Sequence, residues 1–186
     1  MTLAIALLAA GGATRFGSRK LDTFCAGKPL GRWALHVARD LPYEKLAVIV
    51  DGHSPSFAIG YEQLVNDDAA AGIGTSVALA ARWAAGCDTL LIMLADMPLV
   101  SPETLDKLAA ARGPAAVAYP GNDPGVPACF PAHLFPALEA LTGDSGAGRV
   151  LRGLANVTLI ETSAEELRDV DRPEDLADVA AILASR

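Results

Sequence analysis

An apolar run, Leu3–Leu8, passes without a spacer into Ala9-Ala10-Gly11-Gly12. Unbroken apolar character over so short a stretch marks a strand covered on both faces, and the glycines end it at once. Two small residues and two glycines leave main-chain N–H groups uncovered at the end of that strand. Arg15, Arg19 and Lys20 then place three cations within six positions. Uncovered amides and cations at a strand end form a site for a polyanion, most naturally a triphosphate. A surface turn with incidental basic residues is the alternative.

Two familiar glycine loops do not fit. Gly11 and Gly12 are adjacent and the next glycine is Gly17, so the Rossmann spacing G-x-G-x-x-G is missing. Gly12 and Gly17 have P-loop spacing, but Ser18-Arg19 stands where that loop needs Lys followed by Ser or Thr.

Beyond the loop, apolar strand-like runs alternate with helical stretches. That alternation predicts an α/β fold: one Rossmann-like domain over residues 1–186, with a mostly parallel sheet and helices on both faces. Strands are expected at Leu3–Leu8, Leu46–Val50, Thr89–Leu94, Ala115–Tyr119 and Val157–Glu161. Helices are expected at Gly31–Asp40, Gly74–Ala85, Pro102–Arg112, Ala132–Leu141 and Pro173–Ala184. Ser101 caps the third helix with Pro102 in its first turn. The stretch Pro120–Pro127, rich in Gly and Pro, is expected to be an irregular substrate loop over the site. Such folds bind ligands at the carboxyl ends of their parallel strands, where the loops after Leu8 and Leu94 would meet.

Composition narrows the partners. The chain has 186 residues, enough for one well-filled core. Its residues are 52% hydrophobic but only 5% aromatic, so Ala, Leu and Val must fill that core. A net charge of −7 argues against a nucleic-acid surface, though not against a single nucleotide held by local cations. Cys25, Cys87 and Cys129 are scattered without metal-ligand spacing, which suits a reducing cytoplasm, and Cys25 reads as a buried spectator. His36, His53 and His133 read as structural or solvent-facing. The segment Leu3–Ala10 is too short to span a membrane and lacks the flanks of a signal peptide, so no membrane association is expected.

The chemistry concentrates at Asp96. The apolar run Leu90–Leu94 leads directly into Ala95-Asp96-Met97-Pro98, and a carboxylate at the mouth of a buried strand suits Mg²⁺. Helix capping is a poor alternative there, because the next helix begins near Ser101. The chain shows no Ser/His/Asp or Cys/His nucleophile set.

The block L-A-A-G-G-A-T-R-F-G-S-R-K, from Leu8 to Lys20, resembles without a gap the signature L-A-[AG]-G-x-[SGA]-x-R-[FM]-G-x-x-K of a nucleotidyltransferase family. Gly27-Lys28-Pro29-Leu30 is similar to the G-K-P-L that follows in that family. Within it the chain looks most like the molybdenum-cofactor cytidylyltransferases of the MobA-like superfamily. The resemblance implies that Asp96, in its D-M-P motif, binds the metal. The segment Asp169–Asp175 resembles D-I-D-T-P-E-D, which implies Asp171 as a second metal carboxylate; capping of the last helix is its alternative. L-A-A-G at Leu8–Gly11 and G-x-x-x-S-[LV] at Gly72–Val77 resemble cytidylyl- rather than guanylyltransferases. Ala9, Ala10 and Ser76 would then read the base, with helix capping by Thr75 or Ser76 as the alternative.

By that resemblance the activity is transfer of CMP from CTP to a molybdopterin-type acceptor. Gly11, Gly12 and Gly17 would cradle the phosphates. Arg15 and Lys20 would neutralise charge on the leaving pyrophosphate, with Asp96 holding Mg²⁺. A molybdoenzyme or its maturation factor is an implied partner for the product. The acceptor side departs from the family: Val126 stands where a G-H-P loop carries His, and Gly143–Arg149 has one glycine more than G-D-x-G-A-R. Asp144 and Arg149 are therefore open between acceptor positioning and a salt-bridged helix start. Three alternatives remain: a same-fold enzyme using GTP or a sugar or polyol phosphate, a non-catalytic molybdenum-cofactor chaperone, and a nucleotide sensor.

Overall fold

A computed structural model describes residues 1–11 and 19–185. The apolar run forms β1 (Leu3–Leu8), buried along its whole length. A small hairpin, β2 (Phe24–Cys25) and β3 (Lys28–Pro29), follows and leads into α1 (Leu30–Ala38). Then come β4 (Lys45–Val50), β5 (Glu62–Val65), α2 (Ile73–Trp83), β6 (Thr89–Leu94) and α3 (Pro102–Ala110). The last part holds β7 (Ala115–Tyr119), β8 (Asp123–Pro131), α4 (Phe135–Glu139), α5 (Gly148–Arg152), β9 (Thr158–Ile160) and α6 (Pro173–Ala184).

Seven strands make one sheet in the order β5-β4-β1-β6-β8-β7-β9. Only β8 runs against its neighbours, pairing antiparallel with both β6 and β7. The strand period of two sorts β1 between two cores. Leu3, Ile5 and Leu7 enter the cluster that includes Ala34 and Leu35 of α1 and Leu105 and Leu108 of α3. Ala4, Ala6 and Leu8 enter the one that includes Val77, Ala80, Ala81 and Leu138 from α2 and α4. Alanines at positions 4 and 6 facing Ala80 and Ala81 let α2 lie close on the sheet, which is how a core poor in aromatics closes. Each fully buried leucine contributes roughly 1.5–3 kcal/mol to this packing.

A third cluster fixes the active end. Cys25 and Leu30 of the hairpin region, Leu99, Val170, and Val179 and Leu183 of α6 bury one another. Three elements distant in sequence are thereby held beside the strand ends.

The expected strands appear with most of the expected helices; the β2–β3 hairpin and α5 are additional, and three further differences have physical reasons. Pro120–Pro127 is not an irregular loop: its second half lies in β8, and only Pro120–Asn122 turns. Pro127 is tolerated because pairing with β7 shifts register between Ala116 and Val117, so Val126 and Pro127 bulge out of the ladder. Ala132–Leu141 is not one helix but a 3₁₀ turn, Ala132–Leu134, followed by α4, because Pro136 has no N–H to carry a continuous ladder. The edge strand β5 is a four-residue addition that its mixed polar sequence concealed.

Candidate active site

The register of the sheet makes the site. Leu8 of β1 is the parallel partner of Leu94 of β6, so the glycine loop and Asp96 leave the sheet side by side. Ala95 N–H donates to Leu8 O (3.0 Å) and Ala9 N–H to Ile49 O (2.9 Å), which fixes both departures. Above them lies a cleft of about 760 Å³. Ala9, Ala10, Gly11, Lys20, Ser76, Asp96 and Asp171, seven of the residues expected from sequence, all line it. Gly12, Arg15 and Gly17 lie outside the described residues.

Lys20 sits at the centre. Its Nζ donates to Asp96 Oδ2 at 2.9 Å and lies 3.5 Å from Asp171 Oδ1. The Lys20 side chain is 12% exposed and that of Asp96 24%, so the ion pair is largely withdrawn from water. Lys20 opens a 3₁₀ turn, Lys20–Asp22, anchored at its far end. There, the Asp22 carboxylate accepts from the Ser56 amide and hydroxyl, each at 2.7 Å.

Asp171 reaches the site through its backbone. Val170 N–H donates to Asp96 O (3.0 Å), and the Val170 side chain is fully buried in the third cluster. Capping of α6 falls instead to Asp175, whose Oδ2 accepts from the amides of Asp171 (3.0 Å) and Arg172 (2.8 Å). The Asp171 carboxylate meanwhile faces Lys20, with Oδ1 3.5 Å from its Nζ.

Asp169 joins this acidic corner and was not singled out from the sequence. Desolvation and repulsion from Asp171 and Asp96 push its carboxyl above the usual carboxylate range. Tyr119 shares the environment: burial first, then the charges of Asp169 and Asp96, raise its phenol. Carboxylate oxygens are the donors Mg²⁺ prefers, and the ammonium of Lys20 already stands as a cation between two of them. The residues present therefore fit a divalent ion, with phosphate oxygens and water completing its shell. Among the described residues no group of three or more His, Cys, Asp or Glu forms a ready-made metal cage.

The cleft wall around Gly72–Ser76 is built on backbone. Gly72, the N-cap of α2, has φ +118°, and a Cβ there would collide with the backbone of Gly143 and Asp144. A Cβ on Gly74 would lie 2.8 Å from Thr142 C and 2.9 Å from Ser145 O, and Gly74 N–H donates to Gly143 O at 2.9 Å. These glycines let α2 start directly on the 142–145 loop, which puts Asp144 on the cleft wall. Ser76 does not cap the helix. Its Oγ, almost fully buried, accepts from Asn66 Nδ2 at 2.8 Å. Asn66 also donates to Thr75 Oγ1 (2.9 Å), while its own Oδ1 accepts from the Asp68 amide (3.1 Å). One buried amide thus fixes the turn that shapes this wall. Thr75 donates to backbone carbonyls of Gly72 (2.8 Å) and Asp68 (3.1 Å).

His53 and Asp51, just beyond β4, also line the cleft, so His53 is neither buried structure nor simple surface. Arg149 turns to Ser145 Oγ (3.0 Å). The three cysteines are buried and free, and burial raises the thiols of Cys25 and Cys129, the latter to about 12. No helix among the described residues is long and apolar enough to cross a membrane.

A model of the MobA-like NTP transferase domain matches residues 5–170. The chain belongs to this family. Purine catabolism protein PucB of Bacillus subtilis is 31% identical over 186 residues, covering 90% of this chain and 91% of PucB. The fold is also that of a nucleotidyl transferase from Methanothermobacter (TM-score 0.84, 20% identity, 100% and 99% of the two chains). Molybdopterin-guanine dinucleotide biosynthesis protein A from Archaeoglobus fulgidus shares it as well, at TM-score 0.71 and 18% identity over 98% and 100% of the chains. The family is one of nucleotidyltransferases, and in this chain Ala9–Gly11, Lys20 and Asp96 line one cleft at one end of the sheet.

Proposed function

We propose that this protein transfers CMP from CTP to the phosphate of a molybdopterin-type acceptor and releases pyrophosphate. The observation that carries the reading is Lys20 Nζ placed between the carboxylates of Asp96 and Asp171, beside the backbone of Ala9–Gly11 in one cleft. An acceptor phosphate oxygen attacks the α-phosphorus in line; the bond to the bridging oxygen breaks and pyrophosphate leaves with that electron pair. The acceptor phosphate is already ionised near neutrality, so no protein base is needed. The protein's work is positioning and charge neutralisation.

Amides of Gly11, Gly12 and Gly17 cradle the β- and γ-phosphates, and Arg15 and Lys20 neutralise charge that grows on the leaving group. Asp96 and Asp171 would hold Mg²⁺, which when bound supplies charge neutralisation across the triphosphate. With the divalent ion held there, Lys20 would be available to the phosphates. Ala9, Ala10 and Ser76 shape the base pocket. The L-A-A-G loop and the serine of Gly72–Val77 favour cytosine, and the MobA-like family together with the molybdopterin enzyme of the same fold favours the acceptor. The product passes to a molybdoenzyme or its maturation factor.

Asp96→Ala tests the reading. Pyrophosphate release in the presence of Mg²⁺ falls about a hundredfold or more, while circular dichroism and the melting temperature stay close to wild type. Unchanged release would remove Asp96 from the site.

A further inference from the structure

Asn66 follows β5 directly, and its main-chain N–H donates to Val50 O at 2.7 Å. It is 6% exposed, and Ser76 in the first turns of α2 is 3% exposed. Their hydrogen bonds have a direction that the main chain dictates. The Asp68 N–H can only donate, so the Asn66 side-chain atom facing it at 3.1 Å is the carbonyl oxygen Oδ1. That orients the amide, and both protons of Nδ2 are then spent. One goes to Thr75 Oγ1 (2.9 Å) and the other to Ser76 Oγ (2.8 Å). Thr75 gives its own proton to main-chain carbonyl oxygen, with Gly72 O at 2.8 Å and Asp68 O at 3.1 Å. Ser76 Oγ therefore accepts from the protein, and among the described residues no acceptor takes its proton. Ser76 lines the cleft; Asn66 lies behind it.

We propose that Asn66 is a positioning residue for the nucleobase, making the Ser76 hydroxyl a donor to N3 of the bound pyrimidine; this rests on the nucleotidyl-transfer reading and adds to it the residue that sets the polarity of base recognition. A free hydroxyl turns either a lone pair or its proton toward a ligand. This one has a lone pair already taken by Asn66, and accepting a second bond would leave its buried proton unpaired. Cytosine meets it with a lone pair at N3. Uracil carries N–H at the same position and would set proton against proton. Discrimination between the two bases is thus decided by a side chain that touches neither, through the chain Asp68 amide, Asn66, Ser76, base.

The test is calorimetric titration of the full chain with CTP and with UTP, in Mg²⁺ and without acceptor, read as the ratio of the two affinities. Wild type favours CTP by about tenfold or more. Asn66→Asp keeps the shape of the side chain and still receives the Asp68 amide, but its other oxygen accepts from Ser76. The hydroxyl then turns a lone pair to the cleft, and the preference reverses toward UTP. Asn66→Ala frees the hydroxyl to rotate and brings the two affinities together, so the test stands even if a low melting temperature shows Asn66→Asp to be unfolded. On a Ser76→Ala background neither substitution changes the ratio further. A merely structural Asn66 would weaken both nucleotides alike. The wild-type ratio retained in the folded variants, or UTP bound by wild type as tightly as CTP, overturns the proposal. Shifted ratios with no pyrophosphate release from any nucleotide keep the role of Asn66 while contradicting nucleotidyl transfer. Cofactor-dependent release from CTP with unshifted ratios does the reverse.

Discussion

Lys20 carries two duties that a single substitution separates. In the structure it balances Asp96 and Asp171, with Asp169 adding to the local negative charge. In the proposed turnover it would serve the phosphates. Lys20→Ala lowers turnover about a hundredfold, yet it also vacates the position between the carboxylates. Millimolar Mg²⁺ therefore raises the melting temperature of Lys20→Ala more than that of wild type, and the double variant with Asp96→Ala loses that gain. A normal rate for Lys20→Ala would make the loop cation incidental; equal Mg²⁺ responses would remove the carboxylates as its ligands. Asp96 was legible in the sequence because an apolar strand ending in a carboxylate has few structural uses. Asp171 was legible only with its capping alternative; in the structure Asp175 accepts from the amides at that helix start. Asn66 and His53 were not legible. A buried amide bonding Ser76 and a histidine on a cleft wall are set by tertiary folding, and their sequence surroundings carry no pattern.

Among the elements, α2 joins the cleft wall to the 142–145 loop through its first turn. Gly74 meets the backbone of the 142–145 loop rather than a movable side chain. Gly74→Ala thus forces the loop away and costs about 1–3 kcal/mol of stability, read as a lower urea midpoint, together with weaker CTP binding. A wild-type midpoint would show that the loop yields freely. The G-x-G at Gly72–Gly74 reads in sequence as part of a base-binding motif; its close backbone approach appears only when the 142–145 loop is in place. The same distance hides β8. Gly125, Val126 and Pro127 read locally as loop, and only a bulge against β7 lets the segment join the sheet. Helices α1, α2, α3 and α6 were legible to within a few residues because each carries its own apolar face or capping signal.

At the scale of the molecule, the parallel arrangement of β4, β1 and β6 brings Ala9–Gly11 and Asp96 to one end of the sheet, and the third hydrophobic cluster brings Asp171 to them. The region of β8, the turn before it and α5 is where the sequence departs from the family's usual pattern. The central claim is Mg²⁺-dependent cytidylyl transfer to a molybdopterin-type acceptor. The most direct measurement is pyrophosphate release from CTP, GTP or ATP with Mg²⁺, with and without molybdenum cofactor. Release from CTP that depends on the cofactor is the predicted result. Release from GTP in its place would contradict the base assignment, and cofactor binding without release from any nucleotide would contradict the enzyme.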